Sequence, residues 1–119
     1  MATIEGELQY PSEHIPPMTI CAERLDGGGR ICTDRLMAAR GRSGPVTYRL
    51  SVPPGRYLVF ASLKEGVAGG VTAHFRAYYS DYVVCGTRVG CKSHKPIEVV
   101  VRAGEHRRGV GPNDWYART

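Results

Sequence analysis

The most constraining feature of the sequence is an alternating segment that runs through a proline-glycine turn into a second apolar segment. In Val46–Val52 every second residue is apolar, which is typical of a strand with one buried face. Pro-Pro-Gly at 53–55 predicts a turn in which Gly55 takes a backbone conformation unfavourable to other residues. Residues 57–63 are apolar on both faces, which predicts a central strand that places two side chains in the core, Tyr57 and Val59.

Five further segments have strand character: residues 3–10, 18–25, 30–35, 71–79 and 97–102. Asp26 and the three glycines after it predict a hairpin turn between two of these strands. Residues 81–85 are predicted to form a short strand or a bulged continuation of the preceding strand. Residues 36–45 have no strand period and are predicted to form a loop. The expected fold is therefore all-β, a seven-stranded antiparallel β-sandwich, in a single domain spanning residues 1–119.

Charge and hydropathy narrow the classes of partner. The formal net charge is +5, and thirteen of the sixteen basic residues are arginine, but they are scattered along the chain. Nucleic acid is therefore not expected as a partner. No apolar run reaches the roughly 18 residues that a membrane span needs. No signal peptide precedes the first strand, so an exported protein would need a signal segment outside this sequence.

The four cysteines form two near pairs, Cys21 with Cys32 and Cys85 with Cys91. Four cysteines allow three connectivities. In a tight hairpin, Cys21 and Cys32 would lie side by side on the outer face, which predicts a cross-strand disulfide with two unpaired thiols as the alternative. The spacing of Cys85 and Cys91 favours a disulfide-closed loop. Disulfides indicate the periplasm or the extracellular space.

Metal binding is an alternative interpretation of the same residues. Cys85, Cys91 and His94 are residue types that bind zinc, but a fourth ligand is missing. A copper site could use Met18, His14 and another histidine, although no spacing forces such ligands together. The expected cofactor content is therefore none.

Several motifs resemble the carboxypeptidase regulatory-like family, whose fold is similar to that of transthyretin. The motifs are V-P-P-G-R-Y at 52–57, Y-P-S-E-H-I-P-P-M-T-I at 10–20, V-V-C-G followed by C-K-S-H-K-P-I-E-V-V-V within 83–101, and D-W-Y at 114–116. The closer resemblance is to small exported bacterial proteins within that family. It spans most of the chain and weakens between residues 25 and 45, and Cys21 and Cys32 are not part of it. The resemblance implies a fold and an exported location more than an activity.

No catalytic constellation is evident in the sequence. Asp81 and Asp114 lie near aromatic residues, and Asp114 is interpreted as a turn cap beside Trp115. Aromatic and arginine residues anchor many interfaces. The candidate binding surface therefore consists of Tyr78, Tyr82, Arg88, His94, Trp115 and Tyr116. The competing structural interpretation, which the sequence favours, is that Trp115 closes the sandwich and the tyrosines cover the core.

The expected function is that of a non-enzymatic binding or accessory module. Its partner, an unknown protein or small ligand, would meet loops at one end of the sandwich. One alternative is an inhibitor or immunity protein that blocks an enzyme with a protruding loop at residues 36–44. The other is a periplasmic copper or zinc carrier.

Overall fold

The computed structural model describes residues 1–8, 18–38, 46–63, 76–85 and 93–115, which form nine strands and one short helix. The strands are β1 (Ala2–Leu8), β2 (Met18–Arg24), β3 (Arg30–Thr33), β4 (Met37–Ala38), β5 (Val46–Val52), β6 (Gly55–Leu63), β7 (Ala77–Tyr78), β8 (Val99–Val101) and β9 (His106–Arg107). The helix α1 spans Asp81–Cys85. The fold is all-β, as the alternating patterns predict.

The strands form two sheets. The first has the order β4-β5-β1-β9, and the second has the order β3-β2-β6, with both β7 and β8 pairing with β6. The pairs are antiparallel except that β9 runs parallel to β1. The described residues form nine strands and not the predicted seven, because the two-residue strands β4 and β9 were not predicted.

The core lies between the two sheets. Alternate residues of each long strand point into it, because successive side chains in a strand face opposite sides of the sheet. One buried cluster joins Ile4, Tyr48 and Leu50 of the first sheet to Tyr57 and Val59 of the second. Tyr57 and Val59 are both fully buried, so their predicted core positions are confirmed.

The β2–β3 hairpin has the predicted turn and disulfide. The three turn glycines have φ values of 82°, 79° and 91°, a region that favours glycine. The register pairs Cys21 directly with Cys32. The two residues are disulfide-bonded, with their Cα atoms 4.1 Å apart.

Residues 81–85 form α1, so the strand prediction for this segment is wrong. The Ser80 carbonyl accepts hydrogen bonds from the backbone N–H groups of Val83 and Val84, at 3.0 and 3.3 Å. Asp81 lies in the first turn, where a negative charge interacts favourably with unpaired backbone N–H groups. These local bonds outweigh the strand preference of the two valines.

Two other predictions also differ from the structure. Met37–Ala38 pairs with β5 as strand β4, so these two residues are not part of a loop as predicted for 36–45, and residues 39–45 lie outside the described residues. The strand expected at 97–102 is limited to Val99–Val101. Of the strand expected at 71–79, Ala77–Tyr78 forms β7, and residues 71–75 are not among those described.

The turn at 53–55 is present, but its predicted reason for requiring glycine is wrong. Gly55 begins β6 and is not among the glycines with positive φ. A Cβ at this position would lie 3.4 Å from the Arg24 guanidinium, an ordinary van der Waals distance to a flexible side chain. The backbone of Gly55 is therefore one that other residues adopt without strain.

Strand β9 is an element that the sequence analysis did not predict. It pairs with β1 through the register Thr3–His106 and Ile4–Arg107. On the outer face the Glu5 carboxylate contacts three basic side chains: His106, Arg49 at 3.5 Å and Arg108 at 3.4 Å. Backbone pairing and these ion pairs hold β9, which has no apolar alternation of its own.

The Glu5 ion pairs predict that stability depends on pH. Partial burial pushes the pKa of Glu5 upward, but the hydrogen bond and charge of His106 and the charge of Arg49 outweigh it, so this pKa lies below the usual value of 4.5. A carboxylate with a depressed folded pKa stabilises the folded protein above its unfolded pKa, and this stabilisation is lost as pH falls through the folded pKa.

We therefore expect Glu5→Gln to destabilise the protein at about pH 6 and to have a smaller effect at about pH 3. The measurement is the free energy of unfolding from urea titrations at both pH values. Glu7→Gln is the matched control, because Glu7 is an exposed glutamate on the same strand. An effect of Glu5→Gln that is equal at both pH values would contradict the prediction.

Candidate functional site

Three separated segments of the chain come together around Asp114. Isolated bridges join Tyr78 to Asp114 and Ser80 to Pro96. The backbone N–H of Asp114 donates to the Tyr78 carbonyl at 3.2 Å, and the N–H of Asp81 donates to the Lys95 carbonyl at 3.0 Å. Backbone bonds thus hold the segments 93–97 and 111–115 against residues 78–81, which lead into α1.

The centre of this region is the buried carboxylate of Asp114, which is 1% exposed. Its Oδ2 accepts a hydrogen bond from Ser80 Oγ at 2.7 Å and contacts His94 Nδ1 at 2.7 Å. A buried carboxylate is costly unless hydrogen bonds compensate for the lost water. The contacts with Ser80 and His94 supply this compensation and tie both segments to Asp114.

His94 is held on a second side by Tyr82. The two rings are stacked, with centroids 4.4 Å apart and planes 18° apart. The His94 side chain is 32% exposed, and Tyr82 is partly buried. With Nδ1 facing Asp114, Nε2 is the ring nitrogen that this contact leaves for a further partner. We call Ser80, Tyr82, His94 and Asp114 together the Asp114 cluster.

The geometry of the Asp114 cluster differs from that of a Ser-His-Asp hydrolase. In such a triad the serine hydroxyl is hydrogen-bonded to the imidazole, which acts as its general base. Here the Ser80 hydroxyl donates to the carboxylate, and Ser80 is fully buried. The contacts instead fix the position of an imidazole and a tyrosine ring at the protein surface.

The structure brings together some of the predicted surface residues and separates others. Tyr82 and His94 lie together, and Trp115 follows Asp114 and packs, partly buried, against the core. The core-covering role expected for Trp115 is thus supported. Arg88 and Tyr116 lie outside the described residues.

Tyr78 joins the Asp114 cluster only through its backbone. Its ring packs against Phe60 on the outer face of the second sheet, with centroids 5.4 Å apart. The Arg76 guanidinium lies 4.4 Å from the Phe60 ring centroid, and both Arg76 and Arg30 form ion pairs with Glu23. The Tyr78 side chain is therefore part of a separate outer-face group.

The sequence analysis missed the roles of Ser80 and Asp114. The interpretation of Asp114 as a turn cap did not include the bonds that its carboxylate makes to residues 34 and 20 positions earlier in the chain. The serine, the histidine and the aspartate lie in three separate segments of the sequence, and nothing in their spacing predicts that they meet. Only the tertiary structure shows this contact.

The metal interpretations gain no support from the described geometry. Met18, the methionine of the alternative copper site, is 1% exposed and packs in the apolar core. Cys85 is disulfide-bonded, while Cys91 and His14 fall outside the described residues. Within the described ranges no group of three or more His, Cys, Asp or Glu side chains could hold a metal ion.

Comparison with known proteins gives no family assignment. No protein-family model, no curated protein and no solved structure matches the chain. Among the described residues, no helix is long and apolar enough to cross a membrane.

Proposed function

We propose that the protein is an exported, non-enzymatic binding or accessory module that recognises its partner through the end of the sandwich formed by the Asp114 cluster. We also propose that its two sheets form a transthyretin-like sandwich, the fold that its motifs resemble. The partner is a protein or a small ligand that contacts the exposed parts of Tyr82 and His94.

One observation carries this proposal: the His94 imidazole is fixed at a partly exposed position by both a buried carboxylate and a stacked tyrosine ring. Side chains that are already ordered lose little conformational entropy when a partner binds. Aromatic residues with a polar atom are also the kind that contribute most to binding interfaces. The cluster therefore has the rigidity and the chemistry of a recognition surface.

The cysteines support the proposed location. Cys21 is bonded to Cys32, and Cys85 is also disulfide-bonded. Structural disulfides persist mainly in oxidising compartments such as the periplasm or the extracellular space. The expected Cys85–Cys91 pairing involves a residue outside the described part of the chain.

A photo-crosslinking experiment tests the proposed surface. A photoreactive benzoylphenylalanine replaces Val84, which is 64% exposed on α1, in cells that produce the protein. The matched control carries it at Val100, which is 44% exposed on β8. We expect a discrete adduct from position 84 and none from position 100. Adding Tyr82→Ala should reduce the adduct about tenfold or more, as loss of an interface anchor does.

Three outcomes would contradict the proposal. They are equal adducts at both positions, no adduct at position 84, and an adduct at 84 that survives Tyr82→Ala in a protein with unchanged melting behaviour. If the captured partner is an enzyme that the protein inactivates, the result instead favours the inhibitor hypothesis.

A further inference from the structure

We propose that Cys32 is a site of thiol–disulfide exchange, at which a small anionic thiol opens the Cys21–Cys32 bond and releases the edge strand β3. This inference does not depend on the Asp114 cluster. It rests on the unequal exposure of the two sulfur-bearing residues, on a cavity beside one of them and on the position of β3 in the sheet.

The two bonded cysteines differ sharply in exposure. Cys21 is 4% exposed, whereas Cys32 is exposed. Cys21 lies on the inner neighbour of β3 and pairs with Phe60 on its other side. Exchange requires a thiolate to reach one of the two sulfur atoms, so access decides which is attacked. Cys32 is therefore the reacting residue.

An open cavity of about 420 Å³ lies beside Cys32 and is lined by Thr19, Cys32, Thr33, Asp34 and Arg35. Its volume is within the range of small-molecule sites. The cavity offers a guanidinium, a carboxylate and two hydroxyl groups next to the disulfide. A peptide thiol such as glutathione carries carboxylates, an ammonium group and amides, which match those groups in charge and hydrogen bonding.

The chemistry is a two-electron reduction in two balanced steps. A thiolate attacks Cys32 Sγ, the protein S–S bond breaks, and Cys21 Sγ leaves as a thiolate that takes up a proton. This step forms a mixed disulfide between the small thiol and Cys32. A second thiolate then attacks the sulfur of the small thiol, which yields its oxidised dimer and a free Cys32 thiol.

The position of β3 explains what the reaction would change. It is a four-residue edge strand whose described backbone pairing is to β2 alone. Its partly buried Ile31 packs against the core, while Arg30 and Cys32 are exposed. Opening the disulfide removes the covalent link to β2 and leaves the four-residue ladder, the Ile31 contact with the core and the exposed Arg30–Glu23 ion pair. We therefore expect local opening of β3 while the rest of the sandwich stays folded.

To test this, the native protein is treated with reduced glutathione and the reaction is quenched with N-ethylmaleimide. The modified peptides are then mapped by mass spectrometry. We expect glutathione on Cys32 and N-ethylmaleimide on Cys21. Hydrogen exchange of the β3 amides should rise in the modified protein, with the β1 and β5 amides unchanged. Glutathione on Cys21, or no reaction at this pair when the urea-unfolded chain reacts, would overturn the proposal.

A variant pair tests the role of the cavity. Arg35→Ala should slow the reaction with glutathione by about threefold to tenfold and leave the reaction with neutral 2-mercaptoethanol unchanged, because a nearby positive charge raises the local concentration of an anion. Arg102→Ala, at an exposed arginine outside this cavity, is the matched control. If Arg35→Ala changes the reaction rate with neither thiol, or changes both rates equally, the proposal that Arg35 attracts an anionic thiol is contradicted.

Discussion

Gly6→Ala is expected to destabilise the folded protein by about 3 kcal/mol or more, the upper range for overpacking a core. A Cβ on Gly6 would lie well inside the van der Waals radius of the Val110 carbonyl, and 3.1 Å from the backbone nitrogen of Gly111. These are backbone atoms, so no rotamer change relieves the overlap. The clash can be removed only by moving the chain away from β1.

The segment that would have to move is fixed by other bonds. The Val110 carbonyl accepts a 2.5 Å hydrogen bond from the Tyr48 hydroxyl, and the Val110 N–H donates to the Glu5 carbonyl at 3.0 Å. Burial raises the pKa of the Tyr48 hydroxyl, which keeps it protonated as a donor. Val110 is also buried in the core. Displacing it would therefore break both backbone pairing and packing.

Gly55→Ala is the matched control, because its new Cβ meets only the flexible Arg24 side chain. We expect a change within about 0.5 kcal/mol, as for other substitutions without a clash. Denaturant unfolding followed by the fluorescence of Trp115 measures both variants. Equal stabilities of Gly6→Ala and Gly55→Ala would show that the path of residues 106–111 along β1 is wrong.

Asp114→Ala is expected to cost about 2–3 kcal/mol, the upper range for leaving a buried hydrogen-bonding group without its partner. The substitution leaves the buried Ser80 hydroxyl and His94 Nδ1 without their shared acceptor. It also removes the group that fixes the stacking of His94 on Tyr82. The same variant should therefore loosen the proposed recognition surface.

Asp81→Ala is the matched control for Asp114→Ala. The Asp81 carboxylate accepts a 2.9 Å hydrogen bond from Ser93 Oγ but is exposed, so we expect a loss of about 1 kcal/mol or less. Asp114→Asn keeps the shape and one acceptor and should fall between the two. If Asp114→Ala is no more destabilising than Asp81→Ala, the Asp114 carboxylate does not organise the Asp114 cluster.

The long strands and the hairpin disulfide were predictable because each depends on local patterns. Alternation along Val46–Val52 and the apolar run at 57–63 require burial whatever the partner strands are. Likewise, the glycine turn after Asp26 sets the register that opposes Cys21 to Cys32. Sequence periodicity is informative where one face of an element meets the core.

The elements that were not predicted depend on contacts between distant parts of the chain. Strand β9 is formed by His106 and Arg107, both exposed, so no burial pattern marks it. Helix α1 contains two valines, and the backbone bonds to Ser80 decide its conformation against their preference. The Asp114 cluster needs three segments to meet, and no spacing within one segment encodes that meeting.

The placement of β1 also constrains the order of folding. This strand lies in the interior of its sheet, between β5 and β9, although it is made first and β9 is made last among the described strands. During synthesis β1 can pair with β5 on one side, but its other edge stays open until residues 106–107 leave the ribosome. A sheet closed by such a distant pairing forms slowly, because the entropy of closing the long loop must be lost first. One edge of β1 therefore stays unpaired until residues 106–107 are available, and an unpaired strand edge of this kind can pair with other chains.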